Sequence, residues 1–394
     1  MWTRERISVC AYFGILGLVC ASWTASIDDL KLLLGLTQDE LGWLLFSGPV
    51  GNLVSFACAG ALCSRLGSRG AVRLATSGYL VATGLLATCF FLKAPIPVWC
   101  VTLAVFACCG SLVNISVNAQ AGLVEKRAGR QIMSSFHAVF SVACLLSGLL
   151  ALVLTTAAVP VGPRLAFTLI AAVAAHLFFS RGLVADAPAP QEDAARRRTW
   201  HRPDRALIAL GAAALIIMGC EGAVSDWVGV FFRESLAVPP SRVKWGFCAV
   251  VGLMSVGRFV SDGLVNRFSA ARVFHVDCVL VSCGLALALC VPFLPLTGLA
   301  AHLTATLGYA VTGFGISALV PILYSKVNRT KAMPPASALT FVGTMGFLGY
   351  FMGPPMIGCL AKLFSLSAAL GLFALLILLC LFINPDRSSD GASR

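Results

Sequence analysis

Long apolar runs separated by short polar turns dominate the chain. They fall at about 7–27, 41–62, 71–92, 98–120, 134–156, 164–182, 206–231, 245–265, 273–294, 298–324, 336–359 and 364–383. Each is close to the about 20 residues that a helix needs to cross a bilayer core of roughly 30 Å. The pattern predicts an all-α membrane protein with twelve transmembrane helices, because in hydrocarbon a helix satisfies its backbone amides within its own segment. Gly48-Pro49 in the second run, Pro321 in the tenth, and Gly349, Gly353-Pro354-Pro355 and Gly358 in the eleventh mark expected bends and close approaches. The first run is followed by acidic residues and by no small-residue cleavage site, which predicts a retained helix.

One polar stretch is longer than a turn. Residues 183–205 carry prolines and Arg196-Arg197-Arg198 and read as a basic linker. The linker divides the chain into a six-helix half at 1–182 and another at 206–385, with a short tail at 386–394. The halves share a pattern: Gly60-Ala61-Leu62-Cys63-Ser64-Arg65-Leu66-Gly67-Ser68-Arg69 follows the second run, and Asp262-Gly263-Leu264-Val265-Asn266-Arg267 ends the eighth, with Arg65 and Arg267 offset by 202. Repeats of this kind predict two pseudo-symmetric halves with a substrate site between them near the midplane.

Charge then orients the chain. Of the 29 Lys and Arg residues, 21 fall on the side of the N-terminus, 7 on the other, and Arg258 lies within a run. By the positive-inside rule both termini are expected in the cytoplasm, so the net charge of +12 follows from topology and implies no nucleic-acid partner. With 58% apolar and 12% charged residues, little chain remains for a soluble domain, and no GxxxxGK[ST] loop is present. A nucleotide-driven pump is therefore not expected. The sixteen cysteines sit in or beside apolar runs without CxxC or Cys/His spacing and read as packing residues, so no metal or cofactor is expected. The five histidines are scattered, and no Ser/His/Asp constellation points to an enzyme.

Ionisable groups inside spanning helices are costly and are the first functional candidates. Glu221 lies roughly 22 Å along the seventh run and reads as a proton carrier or as a hydrogen-bonded packing residue. Asp226 lies nearer the outer edge, as a second proton-coupling group or a solvated one. Arg258 and Asp262, four apart on the eighth run, share a face where an ion pair can form. Their expected role is an inner gate with Arg65, Arg69, Arg267 and Asp277, against a structural pair or an Arg258 that binds a substrate carboxylate. Asn114 and Asn118 lie one turn apart, with Gln120 beyond; such amides bind solute hydroxyls or bridge helices. His137 reads as an interface histidine or a proton relay. Trp23, Trp227 and Tyr350 can stack on a ring or anchor at an interface, and Asp28 and Asp29 read most simply as solvated.

The turn after the second run resembles the G-x-x-x-D-R-x-G-R-[RK] loop of the major facilitator superfamily: Gly60, Arg65, Gly67 and Arg69 match, and Ser64 stands where the acid is usual. Gly257-Arg258-Phe259, Asp262 and Arg267 form the second-half copy. More narrowly, Trp23, Leu34-Gly35-Leu36, Leu41-Gly42, the run Asn118 to Arg130 with Glu125, Phe136-His137, Glu221-Gly222 and Asp226-Trp227 resemble a bacterial inner-membrane subgroup distantly similar to fucose permeases. Thr24-Ala25-Ser26 stands where that subgroup carries a basic residue, so its substrate class is not carried over. The resemblance implies a monomeric secondary transporter that moves a small polar solute, sugar-like or an organic acid, by alternating access, with proton symport as the first reading. Efflux antiport and uncoupled facilitation are the alternatives, although the fifth run lacks the proline of the drug-antiporter G-x-x-x-G-P pattern. A ligand-sensing membrane protein without transport is the reading from a different class.

Overall fold

The computed structural model describes residues 2–129, 132–186, 203–327 and 335–383. Most of the linker and all of the tail expected from the sequence lie outside the described residues. Every major element is an α-helix: α1 (Arg4–Thr24), α2 (Ile27–Leu34), α3 (Gln38–Leu45), α4 (Ser47–Leu92), α5 (Ile96–Ala128), α6 (Met133–Thr156), α7 (Val161–Phe179), α8 (Arg205–Val230), α9 (Trp245–Phe268), α10 (Ala270–Cys290), α11 (Gly298–Val327), α12 (Pro335–Leu363) and α13 (Leu366–Leu379). α1 and α2 make one long apolar stretch, jogged at Ala25 and Ser26, where Ser26 Oγ donates to the Ser22 carbonyl at 2.8 Å.

The stretch Gln38–Leu92 is 55 residues long. At 1.5 Å per residue it would reach about 82 Å, far beyond one bilayer core, so it must be two crossings. Gly67 supplies the break, with φ 67° and ψ 165° inside the continuous helical run. Only glycine adopts that conformation at little cost, which is why this turn needs Gly67. The first limb is itself interrupted between Leu45 and Ser47: Pro49, four residues after Leu45, has no N–H to give to the Leu45 carbonyl. With α12 and the short apolar α13 counted as crossings, the helices give the twelve-span architecture.

The chain forms two compact units, Met1–Gly35 with Leu44–Arg198 and Leu36–Trp43 with Thr199–Arg394. In the first, α4 packs on α5 and α1 on α6 and α7; in the second, α8 packs on α12 and α11 on α9 and α10. The α3 segment thus packs with the second unit, although it precedes α4 in sequence. The contact is close because glycines line it: a Cβ on Gly42 would lie 2.5 Å from the Pro354 carbonyl oxygen, and one on Gly358 would lie 2.5 Å from that of Gln38. Lys362 Nζ closes this seat on Asp39 Oδ2 at 2.8 Å, and Gln38 Nε2 donates to Glu234 Oε2 at 3.2 Å.

Candidate functional site

Four helices of the second unit bring polar groups together deep in the spanning region. Glu221 lies 16 residues along α8 from Arg205, about 24 Å, and Arg258 lies 10 residues along α9 from Phe268, about 15 Å. Arg258 Nη2 and Glu221 Oε1 are 3.5 Å apart, with side-chain exposures of 36% and 26%. α11 adds Tyr324, whose hydroxyl donates to Met218 Sδ at 3.8 Å and whose phenol lies within electrostatic reach of Glu221. α12 adds Tyr350, whose ring occupies the space beside Gly222; a Cβ there would sit 2.9 Å from the Tyr350 Cδ2. Glycine at 222 therefore admits the ring directly beside Glu221. A guanidinium, a carboxylate and two phenols supply charge complementarity and hydrogen-bonding groups for a polar solute.

This arrangement corrects one sequence expectation. Arg258 pairs across helices with Glu221, and Asp262 is exposed and makes no ion pair among the described residues. An exposed pair one turn apart is worth a few tenths of a kcal/mol, whereas two charges held at membrane depth compensate one another where water is scarce. Asp277 is buried on α10, also without an ion-pair partner among the described residues, and Arg267 lies over the Phe268 ring, its guanidinium carbon 5.3 Å from the centroid. Among the described residues of the second unit, Asp262, Arg267 and Asp277 form no ion pair with one another. Asp226 is half-buried five residues beyond Glu221 and on another face of α8, with no partner among the described residues. Trp227 is completely buried with its Nε1 unpaired, so its rings present no open face for stacking in this conformation.

In the first unit, Asn118 Nδ2 donates to both the carbonyl and the Oδ1 of Asn114, at 2.8 and 2.9 Å, which brings the two amides together on α5. Trp23 is buried with its ring centroid 6.1 Å from that of Phe106, and His137 is exposed, edge-on to Phe13 at 5.1 Å. Gln120 takes another role from the solute amide considered above. It is fully buried, its Nε2 donates to Ser68 Oγ at 2.6 Å and to the Val184 carbonyl at 3.0 Å, and its Oε1 accepts from the Val184 N–H at 2.9 Å. Next to it, Asp186 accepts from the backbone N–H groups of Ser68 and Arg69 at 2.7 and 3.1 Å and caps the limb of α4 that starts after Gly67. Burial raises the Asp186 carboxyl, but the hydrogen bonds from Ser68 and Arg69 outweigh it and hold it below the usual carboxylate range. Arg69 is thus engaged through its backbone, while Arg65 is exposed. Asp29 and Asp28 also depart from the solvated reading: Arg164 Nη2 meets Asp29 Oδ2 at 2.8 Å, and Asp28 is buried.

Tyr324 and Asp186 were not singled out in the sequence. A tyrosine at the end of an apolar run looks like an interface anchor, and an Asp in a linker looks solvated. For Asp186 one signal was present: Gly67 opening a new helical limb leaves N–H groups that need an acceptor.

The Major Facilitator Superfamily family model matches residues 7–334 of the chain. An uncharacterized MFS-type transporter of Yersinia pestis is 27% identical over 95% of this chain and 93% of its own length. Among solved structures, a nucleoside transporter, NupG, superposes with a TM-score of 0.76 at 11% identity, covering 96% of this chain and 98% of its own. A D-xylose-proton symporter does so with a TM-score of 0.71 at 14% identity, covering 95% and 96%. At those identities the solved structures speak for the fold alone. Twelve helical crossings in two compact units, the Gly67 loop and a family match across most of the chain identify the protein as a multi-pass membrane transporter that belongs to the Major Facilitator Superfamily.

Proposed function

We propose that this transporter moves a small polar solute, sugar-like or an organic acid, across the bacterial cytoplasmic membrane by alternating access in symport with protons. The observation that carries the reading is the Glu221–Arg258 pair at membrane depth, with part of each side chain open. Charges there persist only beside a partner or a water-lined cavity, and proton relays and solute sites are their usual uses. Glu221 is the proton carrier and Asp226 the second exchanging acid. Asn114, Asn118, His137 and Trp23 of the first unit and Tyr350 of the second supply solute contacts, and Trp227 joins them only if its helix repacks during the cycle. Arg65, Arg69, Asp262, Arg267 and Asp277 serve the inner gate, and the excess of basic residues at one face supports cytoplasmic termini. The fold shared with a D-xylose-proton symporter is compatible with this chemistry by analogy.

The test is internal pH in proteoliposomes of the pure protein while sugars, sugar acids, amino acids and drugs are added outside. Solute-dependent acidification is expected in the wild type and its loss in Glu221→Gln. Alkalinisation would convert the reading to antiport, and proton-independent movement of a solute would convert it to facilitation.

A further inference from the structure

The middle of the first unit holds a cluster of uncharged polar side chains. On α5, Ser111, Asn114 and Asn118 stand at i, i+3 and i+7, the spacing of one helix face, and cover about 10 Å of its axis. The helix runs from Ile96 to Ala128, so Ser111 and Asn114 flank its midpoint. From α4, Asn52 joins them, its Oδ1 accepting from Ser111 Oγ at 2.6 Å. Val98, Val101 and Val105 give the same helix an exposed apolar face that suits hydrocarbon. Asn114 lies nine residues beyond Val105, about half a turn round the helix at about 100° per residue, and is itself exposed. An exposed asparagine at that depth, turned away from the valine face, looks onto a space that water and solute can enter, because hydrocarbon would leave its amide unsatisfied.

The hydrogen bonds already made decide what the cluster can offer. Ser111 spends its hydrogen on Asn52 Oδ1, and Asn118 Nδ2 gives to both the carbonyl and the Oδ1 of Asn114 at 2.8 and 2.9 Å. Each carboxamide thus has one end fixed and the other to present: Nδ2 of Asn52, Nδ2 of Asn114 and Oδ1 of Asn118. A hydroxyl donates and accepts, so a solute with several hydroxyls matches the N–H donors and the Oδ1 acceptor alike. An ionised carboxylate only accepts and would leave Asn118 Oδ1 unmatched. It would also bring a charge to a region without a counter-charge, since residues 7–27, 47–64, 96–124 and 133–156 contain no Asp, Glu, Lys or Arg. We infer that Asn52, Ser111, Asn114 and Asn118 form a binding site for the hydroxyls of an uncharged polyhydroxy solute, a sugar or a polyol, with Ser111 as the residue that positions Asn52. This rests on the solute-transport reading and deepens it: it adds Asn52 and Ser111 to the site and narrows the solute to the sugar-like class.

The experiment is ligand binding to the purified full-length chain in detergent at pH 7, by calorimetry and thermal shift. The probes are D-galactose, D-glucose and D-glucitol, each beside its acid: D-galacturonate, D-glucuronate and D-gluconate. At least one neutral probe is expected to bind at least tenfold more tightly than its acid. Asn52→Ala and Asn114→Ala are each expected to weaken that binding at least tenfold, with the ligand-free melting temperature close to that of the wild type. Ser111→Ala is expected to weaken it severalfold and Ser111→Thr, which keeps a hydroxyl, to restore it; a fault of packing alone would not be mended by the larger side chain. Should an alanine variant at Asn52 or Asn114 fail to fold, the Ser111 pair decides. An acid bound as tightly as its neutral counterpart, neutral binding that survives Asn52→Ala and Asn114→Ala, equal weakening by Ser111→Ala and Ser111→Thr, or no binding of any neutral probe would each overturn the inference. Failure of the symport reading is distinguishable. A neutral probe that binds as described without proteoliposome acidification would keep the site and remove the proton coupling, whereas acidification driven only by an acid would keep the coupling and remove the site.

Discussion

Arg164 and Asp29 meet at 2.8 Å with side-chain exposures of 7% and 14%, and Arg127 and Glu5 meet at the same distance but largely in the open. Distance alone makes them equal; surroundings do not. Exposed pairs contribute about 0–1 kcal/mol because water and salt screen them, whereas removing one partner of a buried pair costs about 3–5 kcal/mol by stranding the other. Arg164 is tied further by Thr155, which accepts from its Nη1. Arg164→Gln is therefore expected to cost about 3 kcal/mol and Arg127→Gln less than about 1 kcal/mol. Thermal unfolding in detergent, followed by tryptophan fluorescence, compares the two, and equal shifts would mean that burial does not set the strength of these pairs. The Glu221–Arg258 pair lies between these cases in exposure, which suits a contact that must be remade in each transport cycle.

At the scale of elements, the turn within α4 depends on residues that reach it from far along the chain. Gly67 turns the backbone, and the N–H groups freed at Ser68 and Arg69 are taken by Asp186, while Gln120 locks Val184 beside them. A carboxylate held below its usual range by such bonds stabilises the fold above its unfolded value of about 3.9, and the contribution is lost as pH falls through the lower folded value. Asp186→Asn is accordingly expected to cost about 1 kcal/mol at pH 7, the usual worth of a helix cap, with the gap to wild type closing in acid. Melting temperatures of both proteins from pH 7 down to about pH 2 check the sign, and a gap that widens in acid would contradict the assignment. Hydropathy disclosed the spans themselves, and Gly48-Pro49 disclosed the interruption between α3 and α4. The Glu221–Arg258 pairing and the Asp186 cap were not legible, because each joins residues on different elements and periodicity reports only which face of one element is apolar. The seat of α3 against α12 was hidden for the same reason: Gly42 and Gly358 look like ordinary small residues until the backbones that meet there are known.

At the scale of the whole molecule, the limbs of α4 on either side of Gly67 must cross in opposite senses, and within the first unit α4, α5, α6 and α7 follow one another through short connections. On the proposed topology of twelve crossings both ends of the chain share a face, and the bias of 21 basic residues against 7 supports the cytoplasmic one. Moving an early helix out of the membrane would put the later loops on the other side and remove the bias. A single cysteine placed in a cysteine-free background reads this directly with a membrane-impermeant maleimide in intact bacteria. Cysteine at Thr297, in the turn before α11, is expected to react in intact cells, while cysteine at Ala185, after α7, is expected to react only once the cells are opened. The reverse pattern would invert the orientation and, with it, the side from which Glu221 first meets a proton.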